Sequence, residues 1–141
     1  MPASLSGSCL CGAIRYTISA PLSSSLGELR ACHCTHCQKT SGASGSVNLP
    51  ISTDSFKITQ GTPKRYAAKA DSGRTLYRFF CAECGSPIYS QRESNPAMVV
   101  VRAGTLDNAG DMKITAHIWT RSARPWSHID PAAKQIPGQP N

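Results

Sequence analysis

The sequence predicts an all-β fold of short antiparallel strands, and three features of the chain favour this fold class. Short segments alternate between apolar and polar residues, or are rich in β-branched residues. Glycine, proline, serine and asparagine separate these segments, as is typical of turns. No long segment shows the periodicity of an amphipathic helix. With 141 residues, we expect a single domain over residues 1–141, in which 127–141 form an irregular tail rich in proline.

The clearest strand signal lies at residues 13–19. Ile14, Tyr16 and Ile18 fall on one face of this segment, which predicts a strand with one buried side. Residues 98–103 are β-branched and apolar on both faces, which is typical of a central strand. Further strands are predicted over 56–59, 74–80 and 115–120. The helix signals are weak, and only one short turn or helix is expected, over 38–41, with Gly42 ending it.

Composition limits the compartment and the partners. The chain has no apolar run long enough to cross a bilayer, so no membrane partner is expected. Its first residues lack the basic and then apolar order of a secretory signal, so we expect a reducing, cytoplasmic location. The formal net charge is +7, but the basic residues are dispersed and form no block. This distribution argues against a nucleic-acid partner and for a solvated basic surface.

The cysteines are the most informative residues of the chain. Ligands two or three residues apart can converge on one metal ion, whereas a disulfide between such close neighbours would be strained. The chain has seven cysteines in three clusters, namely Cys9 and Cys11, then Cys32, Cys34 and Cys37, then Cys81 and Cys84. This pattern predicts zinc binding, with two ions per chain.

The two outer clusters are predicted to form one closed structural zinc site. Cys9 and Cys11 are two residues apart, so in a strand both sulfurs point to the same side. Cys81 and Cys84 have the spacing of a zinc knuckle, followed by Gly85, where a left-handed turn residue is expected. Spacing alone leaves a second pairing open, in which the middle cluster supplies two partners to the knuckle at 81–84.

The middle cluster then has one ligand too few for a closed site. A zinc ion with the thiolates of Cys32, Cys34 and Cys37 would carry a formal charge of about −1, and so it would be a poor Lewis acid toward water. A thiol from outside the protein is a natural fourth ligand, and metal coordination would deprotonate it near neutral pH. We therefore expect chemistry that forms or breaks a carbon–sulfur bond.

An alternative interpretation is that the middle cluster has a protein ligand and is also structural. His33 is expected to face away from the metal, and His36 is too close to Cys37 for easy joint ligation. His117 or His128 could instead approach from a distant part of the chain. In that case the chain would be a zinc-stabilised module that binds a protein or a nucleic acid without catalysis.

Four segments together resemble a known family. They are GSCLCGAIRY at 7–16, CHCTHCQKTSGA at 32–43, FFCAECGSPIY at 79–89 and HIWTRSARPW at 117–126. The chain is similar in these segments to the GFA family, which includes the glutathione-dependent formaldehyde-activating enzyme and the domain of centromere protein V. The resemblance implies a small zinc-stapled β-tent domain. It also implies a structural zinc at Cys9, Cys11, Cys81 and Cys84, and a catalytic zinc at Cys32, Cys34 and Cys37.

The activity that this resemblance implies is that of S-(hydroxymethyl)glutathione synthase, a carbon–sulfur lyase reaction that condenses glutathione with formaldehyde. The expected partners are therefore a small thiol such as glutathione and a small electrophile. Lys39 and Ser41 follow the middle cluster and are candidates for binding the substrate, and Trp119 is a candidate wall of the pocket. Arg15 and Arg30 are further candidates for binding the carboxylates of glutathione.

Overall fold

A computed structural model of the chain describes residues 4–19, 28–70, 73–109 and 111–140. The described part consists mainly of strands, with one α-helix, α1 (Thr35–Ser41), and single 3₁₀ turns at Thr53–Ser55, Ala103–Thr105 and Thr120–Ser122. The strands are β1 (Leu5–Ser8), β2 (Arg15–Ile18), β3 (Glu28–Cys32), β4 (Ser46–Ser52), β5 (Phe56–Gln60), β6 (Lys64–Lys69), β7 (Thr75–Phe80), β8 (Pro87–Arg92), β9 (Met98–Arg102), β10 (Lys113–Ile118) and β11 (Lys134–Ile136). The predicted all-β fold class is confirmed.

The strands form two sheets. The small sheet has the order β1-β2-β5, and the large sheet has the order β11-β10-β3-β4-β9-β8-β7-β6. Most neighbours are antiparallel, as expected, but β10 runs parallel to both β3 and β11. The expectation of a purely antiparallel arrangement is therefore wrong at this edge. No tight hairpin joins β10 to either neighbour, so no turn forces the strands to run in opposite directions.

The C-terminal segment differs from its predicted irregular form. Residues 134–136 form β11, in which Gln135 pairs with His117 of β10. The edge of β10 offers unpaired backbone N–H and C=O groups, and the tail satisfies them although its sequence carries no strand pattern. No helix within the described residues is both long enough and apolar enough to span a membrane.

The predicted strands match observed ones. Ile14, Tyr16 and Ile18 are buried at 3%, 1% and 0% exposure, so the predicted buried face of β2 is confirmed. β9 lies inside the large sheet between β4 and β8, as expected for a central strand. β4 was missed because Pro50 interrupts its pattern. It pairs with β3 only through residues 46–48, so a proline beyond that point is tolerated.

The core lies between the two sheets and contains a row of aromatic rings. Tyr16 of the small sheet contacts Phe56 at a centroid distance of 5.2 Å, and Phe56 contacts Tyr89 of the large sheet at 4.7 Å. Phe79 stacks on Tyr89 at 4.3 Å. Around this row lie fully buried aliphatic side chains, among them Ile18, Leu49, Ile88, Val99 and Val101. The rings therefore connect the two sheets through one continuous apolar cluster.

The alternation of the large sheet separates two faces. Leu49 and Val101 are paired across β4 and β9 and are buried in the core at 1% and 0% exposure. Their neighbours Asn48 and Arg102, also a cross-strand pair, therefore point to the opposite face. Cys32 is paired with Ser46, two residues before Asn48, and so lies on this same polar face. One face of the sheet thus makes the core and the other carries the middle cysteine cluster.

Gly7 is required where β1 crosses the ring of Tyr16. A Cβ atom at Gly7 would overlap the Tyr16 hydroxyl and would lie 2.5 Å from the carbonyl oxygen of Thr105. The Tyr16 hydroxyl is itself held by Thr105 Oγ1 at 2.6 Å. We therefore expect Gly7→Ala to lower the free energy of unfolding by about 2–3 kcal/mol through overpacking.

Gly104→Ala is the matched control, because a Cβ atom there meets nothing within 4 Å. This variant should change the free energy of unfolding by less than about 0.5 kcal/mol. Urea unfolding of the metal-loaded protein measures both values. Equal stability of the two variants would contradict the close approach of Tyr16 to Gly7.

Candidate metal centres

Four cysteines of the outer clusters come together in the structure. The sulfur atoms of Cys9, Cys11, Cys81 and Cys84 lie within 4.8 Å of one another. Cys9 Sγ is 3.6 Å from Cys11 Sγ, which is 3.8 Å from Cys81 Sγ. A tetrahedral zinc ion with bonds of about 2.3 Å places its sulfurs about 3.8 Å apart. The donor set and its spacing therefore fit a closed zinc site, and the pairing favoured by the sequence is the one that the structure has.

The chain around these sulfurs supplies hydrogen bonds that favour thiolates. The backbone N–H of Ile14 donates to Cys9 Sγ at 3.3 Å. Ser86 Oγ lies 3.2 Å from Cys84 Sγ and accepts from the N–H of Leu10 at 3.1 Å, so one hydroxyl joins the two halves of the site. Hydrogen bonds from the Ser86 hydroxyl and backbone lower the pKa of Cys84 to about 5. Gly85 has a φ angle of 78°, as predicted for the end of the knuckle.

The middle cluster is formed where β3 gives way to α1. Cys32 is the last residue of β3, Cys34 is the N-cap of α1, and Cys37 lies in the first turn of α1. Their sulfurs also lie within 4.8 Å of one another. The N–H of Cys37 donates to Cys34 Sγ at 3.3 Å, so the cap itself fixes one candidate ligand. The helix begins earlier than predicted, at Thr35, and Gly42 ends it with a φ angle of 69°, as expected.

Positive charge lies close to this cluster. Hydrogen bonds from Cys32 and Cys34 hold the pKa of Cys37 far below its usual value, and Ser46 and Arg102 shift it in the same direction. Arg102 Nη1 lies 3.4 Å from Ser46 Oγ and also donates to Asn48 Oδ1. Sequence reasoning missed Ser46 and Arg102. The alternation of β4 and β9 was the signal that could have placed them beside Cys32.

Gln38 holds the cluster loop against the end of β10. Its side-chain nitrogen donates to the carbonyl of His33 at 2.8 Å and to that of Ser122 at 2.9 Å. Its side-chain oxygen accepts from Arg124 Nε at 2.7 Å. Gln38 is buried at 7% exposure, and three of its four hydrogen-bonding positions are used.

His33 and His117 form a buried pair whose ring nitrogens are engaged by protein groups. His117 Nε2 accepts from the backbone N–H of Asp130 at 3.3 Å, so its proton is on Nδ1. His117 Nδ1 therefore donates to His33 Nε2 at 2.8 Å, and His33 Nδ1 donates to Ser127 Oγ at 3.1 Å. Burial lowers the pKa of both rings, which keeps them neutral. Neither histidine is oriented as a ligand of the middle cluster, and His128 is exposed.

The candidate substrate residues lie in different environments. Trp119 packs against the cluster of Cys32, Cys37 and Ile118, and it has a positive φ angle of 56°, which is uncommon for a residue other than glycine. Lys39 is exposed in the last turn of α1. Ser41 donates to the carbonyl of Gly45 at 2.7 Å and accepts from the N–H of Ala43 at 3.1 Å, so its hydroxyl stabilises the loop after the helix.

Two further candidates are also separated by the fold. Arg15 lies on the small sheet, where it faces Asp107 at 3.8 Å and is about half exposed, at 48%. Arg30 lies on β3, two residues before Cys32, and is half-buried. Of these two arginines, only Arg30 shares a strand with a residue of the middle cluster.

The fold and its two thiolate clusters define a small cysteine-rich β-protein with two candidate metal centres. A family model described as "Glutathione-dependent formaldehyde-activating enzyme" (GFA) matches residues 4–122. The chain therefore belongs to the GFA family, as the resemblance of the four segments implied.

Curated relatives and a solved structure agree with this assignment. A protein of Halomonas elongata named "Putative glutathione-dependent formaldehyde-activating enzyme" is 31% identical over 109 residues, which cover 74% of this chain and 66% of the relative. A protein of the same name from Podospora anserina is 28% identical over 85 residues, or 60% of this chain and 38% of the relative. The matches thus span less than two thirds of both relatives.

The solved structure is a crystal structure of a Rhodobacter sphaeroides protein. It matches with a TM-score of 0.57 and 22% identity, covering 73% of this chain and 88% of that one. At this identity the match supports the fold alone.

The Gln38 contacts predict a stability effect. In Gln38→Leu, the side chain keeps its approximate size, but the buried carbonyl of His33 and the carbonyl of Ser122 lose their donor. We expect the free energy of unfolding to fall by about 2–4 kcal/mol, because an unsatisfied buried polar group costs about 1–3 kcal/mol. Gln60→Leu is the matched control, since Gln60 makes one exposed hydrogen bond, to the carbonyl of Gly12 at 3.1 Å. Urea unfolding should show a loss below about 1 kcal/mol for this control. A Gln38→Leu variant as stable as the control would show that the hydrogen bonds of Gln38 to His33 and Ser122 do not stabilise the fold.

Proposed function

We propose that this chain is a zinc-dependent enzyme of the carbon–sulfur lyase type, similar to S-(hydroxymethyl)glutathione synthase. In this proposal it adds a small thiol to an electrophilic carbon, or eliminates the thiol from it. The outer cysteines Cys9, Cys11, Cys81 and Cys84 hold a structural zinc. The middle cysteines Cys32, Cys34 and Cys37 hold the zinc that takes part in catalysis. The names of the relatives support glutathione and formaldehyde as the first substrates to test.

The observation that carries the proposal is the difference between the two clusters. The first brings four sulfurs together, whereas the second brings three, and within the described residues no histidine, aspartate or glutamate joins that second group. His33 and His117 are buried near the middle cluster, but their ring nitrogens form hydrogen bonds to each other, to Ser127 and to Asp130. A three-ligand zinc keeps one position open, which is the arrangement that catalytic zinc sites share.

The reaction forms one carbon–sulfur bond without a change in oxidation state. The thiol sulfur bonds to the carbonyl carbon, the C=O double bond becomes a C–OH group, and the proton lost by the thiol is recovered by that oxygen. A zinc ion held by Cys32, Cys34 and Cys37 would supply the open position for the thiol and lower the pKa of that thiol. Two hydrogen bonds support this role, because the N-cap bond fixes Cys34 and the Gln38 side chain fixes the loop that carries it.

The surroundings of the cluster support a role in binding a thiolate. Arg102 lies behind Ser46 on the polar face of the sheet, where its charge stabilises additional negative charge on sulfur. Trp119 packs against the apolar cluster that contains Cys32 and Cys37. Thiols add to formaldehyde without a catalyst, so the enzyme activity is the acceleration above that background.

Cobalt substitution tests the open position. Tetrahedral thiolate sites with cobalt absorb strongly in the visible and near-ultraviolet range, so titration of the apo protein should show two equivalents bound. Adding glutathione should then give a saturable spectral change that corresponds to one of the two metals, because the closed site has no vacancy.

Two outcomes are informative. Two cobalt sites that do not respond to glutathione or to other small thiols would contradict an open position and would favour the alternative of a binding module. A response that disappears in Cys34→Ser but persists when Lys57, an exposed lysine on β5, is replaced by Ala would assign the open position to the middle cluster.

Substitution of single cysteines should separate the two roles. Cys34→Ala should reduce thiol addition to the uncatalysed rate while the chain keeps its fold, because Cys34 lies at a surface-facing helix start and is half-buried. Cys81→Ala should instead unfold the protein, because Cys81 is buried at 1% exposure and joins the two halves of the structural site. Circular dichroism and the bound zinc per chain distinguish the two results. If both variants unfold, the division of roles between the sites is wrong.

A further inference from the structure

A cavity opens on the polar face of the large sheet, next to the middle cluster. Its volume is about 250 Å³, which is slightly below the usual range of small-molecule pockets and suits a small ligand. Thr40 of α1 contributes to its wall, and the Thr40 hydroxyl donates to the carbonyl of Cys37 at 3.3 Å. The cavity therefore begins within one helical turn of the cluster.

Two arginines line this cavity, Arg78 of β7 and Arg102 of β9. Strand pairing places them on one face, because Arg78 is paired with Ser90, Ser90 with Val100, and Val100 is two residues before Arg102. Arg102 is the residue that also reaches Ser46 beside the cluster. The two arginines thus share the face of the sheet that also carries the middle cluster.

Arg78 has a buried nitrogen without a partner. Among the described residues, its Nη1 is the buried side-chain nitrogen or oxygen atom for which no hydrogen bond is found. An unsatisfied buried donor is unfavourable, and it costs more when the group is charged. In a cavity wall, a donor that no described protein group accepts is available to a ligand.

The charges in the cavity point to an anionic acceptor. Within the described residues, no aspartate or glutamate lines the cavity. Burial lowers the pKa of Arg102, the Cys37 thiolate opposes this shift, and the nearby Arg78 adds to it. A zinc ion with three thiolates would carry about −1, which offsets only one of the two guanidinium charges. Before a substrate thiolate binds, the described residues of the cavity wall therefore offer no counter-ion for the second charge.

Aromatic residues form part of the remaining wall. Phe80 and Tyr66 line the cavity, and Tyr66, which is paired with Arg78 across β6 and β7, is 61% exposed. Phe79 and Tyr89 border the cavity as well, but their rings belong to the aromatic row in the core. Rings such as those of Phe80 and Tyr66 cover the carbon skeleton of a ligand while the arginines bind its charged end.

We propose that Arg78 and Arg102 bind a carboxylate of the thiol substrate, so that this site selects small thiols that carry an acid group a few bonds from the sulfur. This inference rests on the proposed function for the identity of the thiol, but the anion site itself does not depend on catalysis. Arg102 is held in place by Asn48 and Ser46, and Arg78 supplies the free donor. A planar carboxylate matches the fork of N–H donors that a guanidinium presents.

The test compares two probe thiols of the same length, 3-mercaptopropionate and 3-mercaptopropionamide, on the cobalt-loaded protein. The acid should bind about 10- to 100-fold more tightly than the amide, which is the usual range for a hydrogen bond to a charged group. Arg78→Gln should remove most of this preference by weakening the acid alone, and Arg78→Lys should retain part of it.

Arg65→Gln is the control, because it removes the same charge from β6, where Arg65 stacks on the Tyr77 ring at 4.2 Å and does not line the cavity. This variant should keep the full preference. The metal content and the thermal transition of each variant show that it is folded.

Three results would overturn the inference. Equal binding of the acid and the amide to the wild-type protein would do so while leaving the proposed function intact, because both thiols would still reach the metal. If Arg65→Gln loses as much of the preference for the acid as Arg78→Gln does, the preference comes from the general positive charge of the protein and not from the cavity. If neither thiol changes the cobalt spectrum, the proposed function fails.

The anion site is then tested alone, by the shift that propionate causes in the thermal transition of the zinc-loaded protein. A larger shift with inorganic phosphate than with propionate, or none with propionate, would overturn the carboxylate assignment.

Discussion

The convergence of four thiolates from the two ends of the fold is the constraint on which the rest of the structure depends. Cys11 and Cys81 are 70 residues apart, yet their sulfurs lie 3.8 Å from each other. One pair follows β1 of the small sheet, and the other follows β7 of the large sheet. A metal bound there would close a long loop and hold the two sheets together, which a core with few aromatic residues supports only in part. Ser86 strengthens the same junction, since it contacts both halves.

With the sheets joined in this way, side chains alternate along the large sheet, so that core residues lie on one face and the middle cysteine cluster lies on the other. Leu49 and Val101 point into the core, and the residues next to them, Asn48 and Arg102, point to the polar face. Cys32 reaches that face because β3 pairs with β4 in this register. A shift by one residue would bury the arginine and expose the valine, so the same hydrophobic pattern that forms the core also fixes the position of the middle cluster.

The two cysteine clusters were predictable from the sequence, whereas the cavity beside the middle cluster was not. Cysteine spacing is local information, and it identified both clusters and favoured the pairing of Cys9 and Cys11 with Cys81 and Cys84. The β2 and β9 strands were found because their patterns are strong. Arg78 and Arg102 were missed because they come together only through the pairing of β7, β8 and β9, which is non-local. The parallel orientation of β10 and the short strand β11 were missed for the same reason. The edge of a sheet can pair with any backbone segment that lies beside it, and local sequence does not identify that segment.

The surroundings of the two clusters differ in a way that follows from their charge. A zinc ion with four thiolates carries about −2, and so does a three-thiolate zinc once a substrate thiolate is added. Each cluster contains two buried cysteines and one half-buried cysteine, but the first also has Cys11, which is exposed, so water can screen its charge there. The second cluster has no exposed cysteine, and solvent screening is weaker. In the proposed reaction, a substrate thiolate adds negative charge to the second centre, and Arg102 is the cation that the fold places beside it. Under the same proposal, the first centre relies on solvent and on neutral hydrogen-bond donors, which suit a structural role.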